Sequence, residues 1–197
     1  GELLIASDNG IDLMDREKNV FVNYKMIPGD TNSLSENWAT AIHEDVSGNL
    51  WVGTFNGGGL NLMDKKTGKF RHFLKGTSIS FLFEDSDSVL WVGTDGGFYR
   101  YDRPADKFVP HVDPRGINIG TLSMKGILED DKKNLWMSTS VGIMKLNSKR
   151  DEVTIYGENR GVDPDGLLPF VFLPYKSRNG KLYFGDVSGY YGFFPDS

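Results

Sequence analysis

A five-residue phrase that recurs five times constrains the fold of this chain more than any other feature. Its second position is aromatic in four copies, and a small residue follows two positions later in all five. The copies are residues 3–7, 50–54, 90–94, 135–139 and 182–186. Their second positions lie 47, 40, 45 and 47 residues apart. A period of about 40–50 residues built from short strands is typical of β-propeller blades.

The residues around the second copy show what one repeat contains. Four strand-like runs, at 39–43, 50–55, 60–63 and 69–74, are separated by short turns rich in Asp, Asn and Gly. Asp and Asn side chains bond the backbone of a turn, and glycine supplies left-handed geometry. The repeat is therefore predicted to be a four-stranded antiparallel meander, which is one blade.

Applied along the chain, this repeat predicts an all-β, partial β-propeller with about five blade columns. We expect the blades at approximately 1–37, 38–77, 78–122, 123–168 and 169–197. The first is expected to begin at its second strand and the last to end after its third, so both are incomplete. Because the outer faces of two such end blades would be apolar, we also expect the isolated chain to form a homodimer.

The recurring aromatic and small residues are predicted to form the packing between blades. The aromatic anchors are Trp51, Trp91, Trp136 and Tyr183, and Leu4 takes their place in the first copy. The small residues on the same strand face include Gly53, Gly93 and Gly185. Neighbouring blades cover both faces of a sheet, so a large side chain must be set against a small one. We therefore assign these tryptophans to the core and not to sugar stacking.

The composition argues against two classes of partner. The chain has 27 acidic and 22 basic residues, a net charge of −5, and no basic stripe that would follow a phosphate backbone. Nucleic acid is therefore not expected as a partner. No apolar run approaches the roughly 20 residues of a membrane helix, so this segment is not expected to insert into a membrane.

No group of residues has the pattern of a catalytic or metal site. The acidic pairs 44–45, 84–85 and 129–130 resemble glycosidase carboxylates in composition, but each Asp lies six residues before its anchor, which favours a role in turns. The histidines His43, His72 and His111 occupy different strand positions without metal-ligand spacing and are interpreted as surface or blade-edge residues. We expect no catalytic residue, metal or cofactor in this segment.

Ligand contacts, if they exist, are expected in the longer connections between blades, because such loops carry function more often than strands do. An aromatic ring and fork-like donors suit a sugar ring or an acidic glycan. The candidates on this basis are Trp38, Arg115, Asn118 and Arg160. The alternative, that all four serve local packing or lie solvated in loops, stays open at this stage.

The repeats resemble those of a known family. Glu44-Asp45, Gly48-Asn49-Leu50-Trp51-Val52-Gly53-Thr54 and Gly59-Leu60 follow the two-component regulator propeller repeat, and the stretches 84–97 and 129–143 repeat the pattern. Residues 32–35, with the sequence Asn-Ser-Leu-Ser, resemble the linker that often precedes a first strand in this family. Residues 161–196 resemble the blade just before the sandwich domain of hybrid two-component sensors.

This resemblance implies the C-terminal part of the second propeller in the periplasmic sensor region of a hybrid histidine kinase. In that family, a transmembrane helix couples paired propellers to a cytoplasmic kinase that responds to glycan breakdown products and controls polysaccharide-utilisation genes. The implied partners are an oligosaccharide, the remaining blades and a downstream β-sandwich domain. The alternative is a propeller enzyme, either a glycoside hydrolase or a lyase of the streptogramin-lyase kind, for which His43 is the one inner-strand histidine.

Overall fold

The computed structural model describes residues 3–113, 119–168 and 173–195, and they form five antiparallel sheets. Three sheets have four strands, and a three-stranded sheet stands at each end of the series. Among the described residues, the helical content is one 3₁₀ turn at Glu158–Arg160. The all-β partial propeller with incomplete first and last blades, predicted from the repeat, is confirmed.

Each sheet is a meander in which consecutive strands pair. Blade 1 contains β1 (Leu4–Ser7), β2 (Gly10–Asp15) and β3 (Val20–Tyr24). Blade 2 contains β4 (Ala39–Glu44), β5 (Leu50–Thr54), β6 (Gly59–Asp64) and β7 (Lys69–Phe73). Blade 3 contains β8 (Ile79–Glu84), β9 (Leu90–Thr94), β10 (Gly97–Asp102) and β11 (Lys107–Pro110). Blade 4 contains β12 (Met124–Glu129), β13 (Leu135–Thr139), β14 (Gly142–Leu146) and β15 (Val153–Tyr156). Blade 5 contains β16 (Tyr175–Lys176), β17 (Leu182–Asp186) and β18 (Gly189–Phe193).

The first strands of the four-stranded blades form the inner edge of the arc. β4 packs against β8, and β8 packs against β12. Each of these strands shifts register against its neighbour at the same place, at residues 40, 80 and 125. A β-bulge of this kind bends the strand and increases its twist, which suits the crowded inner edge of a propeller.

The tryptophan anchors are buried at equivalent places. Trp51 packs across the interface against Tyr101 and Phe108 of blade 3, with ring centroids 5.0 and 5.4 Å away. Trp136 packs in the same way against Phe193 of blade 5, at 4.9 Å. Trp91 stacks on Phe98 of its own sheet and joins a core cluster shared with blade 4. These contacts place large aromatic groups at every interface between blades 2 and 5.

Tyr183 differs from the tryptophans although it holds the same repeat position. It is partly exposed, and its ring lies beside Tyr175 and Tyr190, whose side chains are also exposed. No sheet of the described chain covers this face of blade 5. The repeat position by itself therefore does not bury the ring; the neighbouring blade does.

The small residues two positions after the anchors lie where sheets approach closely. A Cβ atom added to Gly53 would lie 2.5 Å from Ile79 of blade 3, and one added to Gly93 would lie 2.2 Å from the ring of Phe81. Gly185 pairs with Tyr190 within blade 5. At Gly53 and Gly93, the absent side chain is what lets a bulky neighbour approach the strand.

Replacing Trp91 by alanine should lower the free energy of unfolding by about 3–5 kcal/mol, because it removes a buried ring and leaves a cavity. Chemical denaturation of both proteins measures the difference. Trp38→Ala serves as the matched control, since this side chain is 47% exposed. Equal losses in the two variants would contradict the burial of the anchor column.

Replacing Gly93 by alanine should cost about 1–3 kcal/mol, because the new methyl group overlaps the Phe81 ring. Gly96→Ala is the control, since no heavy atom lies within 4 Å of its added Cβ. Thermal melting should therefore show a clear loss for Gly93→Ala and little change for Gly96→Ala. A neutral Gly93→Ala would mean that the sheets can separate freely at this column.

Candidate functional site

The alternation of strand direction divides the turns between two faces of the arc. Turns between first and second strands, and between third and fourth strands, lie on one side, which we call the latch face. Turns between second and third strands lie on the other side together with the connections between blades, and we call this the connection face. The ligand candidates Trp38 and Arg160 belong to inter-blade connections and hence to the connection face.

The acidic turns of the latch face hold the tryptophan anchors. Asp45 Oδ1 accepts hydrogen bonds from the backbone N–H groups of Ser47 and Asn49, and its Oδ2 accepts one from Trp51 Nε1 at 3.0 Å. The equivalent bonds from Trp91 to Asp85 and from Trp136 to Asp130 are both 2.8 Å long. The constant spacing of six residues is therefore the spacing that brings a turn carboxylate to a buried indole.

In blades 3 and 4, the glutamate of the acidic pair connects its blade to the preceding one, whereas Glu44 pairs with Lys65 of its own blade. At the interface of blades 2 and 3, Glu84 accepts a hydrogen bond from the backbone N–H of Val46 at 3.0 Å. Arg103 joins both carboxylates, donating to Glu84 at 2.7 Å and to Asp45 at 2.8 Å. We call this arrangement the inter-blade latch. The carboxylates thus act across the interface as well as within their own turns.

The latch recurs with different residues at the next two interfaces. Between blades 3 and 4, Glu129 accepts from the backbone N–H of Ser86, and Arg150 donates to Asp85 at 2.9 Å. Between blades 4 and 5 the charges are reversed, because Lys176 stands at the glutamate position and pairs with the Asp131 side chain at 2.6 Å. The acidic pairs therefore have a structural role at each of the interfaces where they occur.

The latch carboxylates are held in their ionised form. Burial opposes ionisation of Asp45, Asp85 and Asp130, but hydrogen bonds from the tryptophans and turn amides outweigh it and hold the pKa of each carboxyl below its usual range. A group with a lowered pKa is a poor general acid at neutral pH. These aspartates therefore suit anchoring and do not suit proton donation.

The histidines fall into three different environments. His43 Nε2 lies 3.3 Å from Glu84 Oε2 and so belongs to the latch. His72 Nε2 lies 2.8 Å from the Ser33 carbonyl oxygen, where it fastens the connection before blade 2. His111 is buried at the interface of blades 3 and 4, which corrects its interpretation as a surface or blade-edge residue. In the described part of the chain, no three His, Cys, Asp or Glu side chains group as metal ligands would.

Trp38 forms an exposed aromatic ledge on the connection face. Its ring packs against Phe55 at a centroid distance of 4.8 Å, and its carbonyl accepts a hydrogen bond from the Phe55 N–H. Phe55 belongs to the turn between the second and third strands of blade 2. The contact therefore fixes the ring against a rigid hairpin while leaving 47% of Trp38 in solvent.

A cavity of about 300 Å³ opens beside this ledge. The connection before blade 2 forms one wall with Asp30 and Ser33, and the opposite wall carries Gly57, His72 and Lys75. Gly57 and Gly58, in the turn that follows Phe55, line this cavity, whereas Trp38 and Phe55 do not. The aromatic surface and the concave polar site are therefore connected through one short turn.

Arg160 lies on the same face but in the connection between blades 4 and 5. Its guanidinium is 4.9 Å from the Tyr156 ring centroid, at a cavity of about 400 Å³ that also touches Trp136 and Phe193. The equivalent space between blades 2 and 3 holds the ring of Phe108. The cavity at Arg160 thus occupies a packing position of the repeat.

The structure does not bring Trp38 and Arg160, the two candidates among the described residues, together into one site. Trp38 and Arg160 belong to connections that are separated by three blades. Arg115 and Asn118 lie outside the described residues. Sequence reasoning selected Trp38 but missed Phe55 and the adjacent cavity, because their proximity depends on how a hairpin and a connection pack.

Comparisons with known proteins identify the type of repeat in this chain. A sequence profile described as a two-component regulator propeller matches residues 33–56 and 74–96. Histidine kinase P4 of Formosa agariphila is 30% identical over 184 residues, which are 86% of this chain and 13% of the relative. The chain thus spans about one-eighth of the length of this curated relative.

Solved structures share the fold at low sequence identity. The extracellular domain of a hybrid two-component system from B. thetaiotaomicron superimposes with a TM-score of 0.77 at 22% identity, over 99% of this chain and 26% of that chain. A second such domain superimposes with a TM-score of 0.72 at 23% identity, over 100% of this chain and 28% of that chain. Virginiamycin B lyase from Staphylococcus aureus superimposes with a TM-score of 0.66 at 16% identity, over 100% of this chain and 67% of the lyase chain. These identities establish the fold alone.

Among the described residues, no helix has the length and apolar character needed to cross a membrane.

Acid should weaken the propeller through the latch aspartates. A carboxyl whose pKa is lowered by folding stabilises the native state above its unfolded pKa of about 3.9, and this contribution is lost as the pH falls through the folded value. Asp130→Asn should therefore reduce the loss of unfolding free energy between about pH 5 and pH 3. Urea unfolding at several pH values in this range measures the free energy of unfolding of wild type and variant. Asp8→Asn, at an exposed turn position, is the control.

Asp130 suits this experiment because its partners among the described residues are the Asn134 amide, the Trp136 indole and backbone N–H groups. Its replacement leaves no guanidinium without a carboxylate. If Asp130→Asn and Asp8→Asn gave the same pH dependence, the carboxylate would contribute nothing specific to the blade.

Proposed function

Because the chain contains two-component regulator propeller repeats, we propose that it belongs to the periplasmic sensor region of a histidine kinase and recognises a glycan-derived oligosaccharide. Control of polysaccharide-utilisation genes would be the output of the whole protein. The proposal is supported by a 30% identical relative named as a histidine kinase and by a fold shared with extracellular domains of hybrid two-component systems. The segment itself would bind and not catalyse.

The observation that carries this proposal is the ledge of Trp38 and Phe55 beside a polar cavity. Sugar rings present apolar C–H faces that stack on aromatic rings, while their hydroxyl groups need hydrogen-bond partners. Trp38 offers the stacking surface, and Asp30 and Lys75 are among the polar residues that line the neighbouring cavity. A concave polar site beside an aromatic plane is the arrangement that an oligosaccharide requires.

A catalytic role has less support from the geometry. The carboxylates that resembled glycosidase residues are occupied by tryptophan and arginine donors in the latch. His43, the histidine on which a lyase mechanism would depend, pairs with Glu84 in the same latch. His43 and these carboxylates therefore already have structural partners.

Two apolar faces support the proposed partners. Blade 1 exposes Ile5 and Phe21, and blade 5 exposes Tyr175 and Tyr190. We propose that the remaining blades and a downstream β-sandwich domain cover these faces in the whole protein. In the isolated chain, the same faces would support a homodimer, since apolar patches of several hundred Å² are rarely left in water.

Replacing Trp38 by alanine should weaken oligosaccharide binding about tenfold, because the stacking surface is lost, whereas Trp38→Phe should retain most of the affinity. Isothermal titration of the intact protein with an oligosaccharide panel measures both effects. Val46→Ala, at a 69% exposed position in a turn of the latch face, is the control and should leave affinity unchanged. Equal affinities for wild type and Trp38→Ala would remove the ledge from the binding site.

A further inference from the structure

The interface between blades 3 and 4 contains an aromatic position that has become polar. In blades 2 and 4 a ring on the fourth strand flanks the tryptophan anchor: Phe73 lies 5.5 Å from Trp51, and Tyr156 lies 5.7 Å from Trp136. In blade 3 the same position is His111, 5.6 Å from Trp91. An imidazole thus stands where the repeat otherwise places a phenyl or phenol ring.

The same interface is also packed with smaller side chains. Between blades 2 and 3, Tyr101 and Phe108 fill the space in front of the anchor. The equivalent residues of blade 4 are Leu146 and Val153, which pair with each other as Tyr101 and Phe108 do and are buried in the cluster that contains Trp91. Beside this cluster lies a cavity of about 450 Å³, which is lined by residues of blade 3 and by Arg150 of blade 4.

The imidazole in this cavity lacks a hydrogen-bond partner. His111 is 8% exposed, and its Nε2 atom is buried with no partner among the described residues. Burial is the main cause that lowers the pKa of His111, and the positive charge of Arg100 lowers it further. The negative charge of Asp113 acts in the opposite direction. A neutral imidazole with an unsatisfied buried nitrogen costs stability unless something else bonds it.

The two arginines of the cavity differ in their partners. Arg150 belongs to the latch and donates to Asp85, with Glu129 at 3.6 Å. Arg100 is exposed, and no carboxylate pairs with it in the described part of the chain. The cavity therefore holds one guanidinium without a counter-charge and one imidazole nitrogen without a partner, next to the apolar side chains of Val89 and Val109.

We propose that this cavity binds the carboxylate of a small acidic ligand. Arg100 would pair with the carboxylate, and His111 Nε2, which is closed off from solvent here, would bond the ligand after the imidazole ring turns toward the cavity. A guanidinium presents paired donors that match a carboxylate, and bonds between charged groups are among the strongest available to a small site. The valines would contact the body of the ligand. The choice of a uronic acid, the acidic unit of glycans, as this ligand rests on the proposed function.

Two variants test the site without disturbing the fold. His111→Phe restores the ring found at Phe73, so it should keep or raise the melting temperature while weakening glucuronate binding at least tenfold. Arg100→Leu introduces the residue found at the equivalent Leu62 and should weaken binding similarly. Arg71→Leu, which removes an exposed arginine from blade 2, is the control and should bind as wild type does.

The binding experiment is a titration of the intact protein with glucuronate, glucose and acetate, followed by calorimetry and by NMR of the histidine side chains. Glucuronate should bind, glucose should not, and bound glucuronate should raise the apparent pKa of His111, since a nearby negative charge favours imidazolium. The His111→Phe variant identifies the His111 resonance among those of the three histidines.

The outcomes separate this inference from the proposed function. If acetate binds as well as glucuronate, with the same dependence on His111 and Arg100, the carboxylate site stands and the glycan assignment of this site falls. If no carboxylate binds, or if binding is unchanged in both His111→Phe and Arg100→Leu, the site itself is refuted. Neither result would touch oligosaccharide binding at Trp38.

Discussion

The hydrogen bond between a buried indole and a turn carboxylate is the interaction on which the rest of this structure depends. A tryptophan in a blade interface contributes a large apolar surface, but its N–H must find an acceptor away from water. A carboxylate in the same place must find donors to offset its desolvation. Trp51 and Asp45 satisfy each other, and the backbone of the intervening turn supplies the remaining donors. One interaction thereby fixes the hairpin, the anchor and the edge of the interface.

The latch changes as a unit where this interaction is absent. In blade 5 the anchor is Tyr183, which has no indole N–H, and the turn residue that corresponds to Asp45 is Ser177. The adjacent glutamate position is Lys176, and the partner position in blade 4 now carries the Asp131 carboxylate. At this interface the Lys176 ammonium group pairs with the Asp131 carboxylate. At the two preceding interfaces, a glutamate carboxylate accepts a hydrogen bond from a backbone N–H instead. The interface keeps one charged contact while the tryptophan and its acceptor disappear together.

The sequence predicts the blades well because the repeat is local. Each hairpin is encoded by its own turn residues and alternation, so the strands and their order follow from residues close together in the chain. The role of the acidic pairs was only half predictable. Their turn function is local, whereas the arginine that bonds Asp45 is Arg103, in a turn of the following blade. No pattern within one repeat contains that partner, so the latch appears only when neighbouring blades are assembled.

The candidate site was less predictable for the same reason. Its place in a loop outside the repeat columns and its side-chain type suggested Trp38, but the ledge needs Phe55, and the cavity needs a connection folded over a hairpin. His111 shows the opposite error: its strand position suggested an edge, yet the residues that bury it and those that leave space beside it come from two blades. Aligning the repeats by column reveals the substitution of a ring by an imidazole. The cavity follows only when the columns of adjacent blades are compared.

Ligand binding at the His111 cavity, as proposed, would be linked to the contact between blades through Arg150. Arg150 borders the cavity and also bonds Asp85, which in turn holds the Trp91 anchor. A ligand can shift a conformational equilibrium only by its difference in affinity between the two states. The proposed contacts of the carboxylate, Arg100 and His111, both belong to blade 3. Of the described residues that line the cavity, Arg150 is the one from blade 4, so a ligand would favour the closed interface only as far as it also contacts Arg150. A sensor needs such a differential interaction, and a site confined to one loop would lack it.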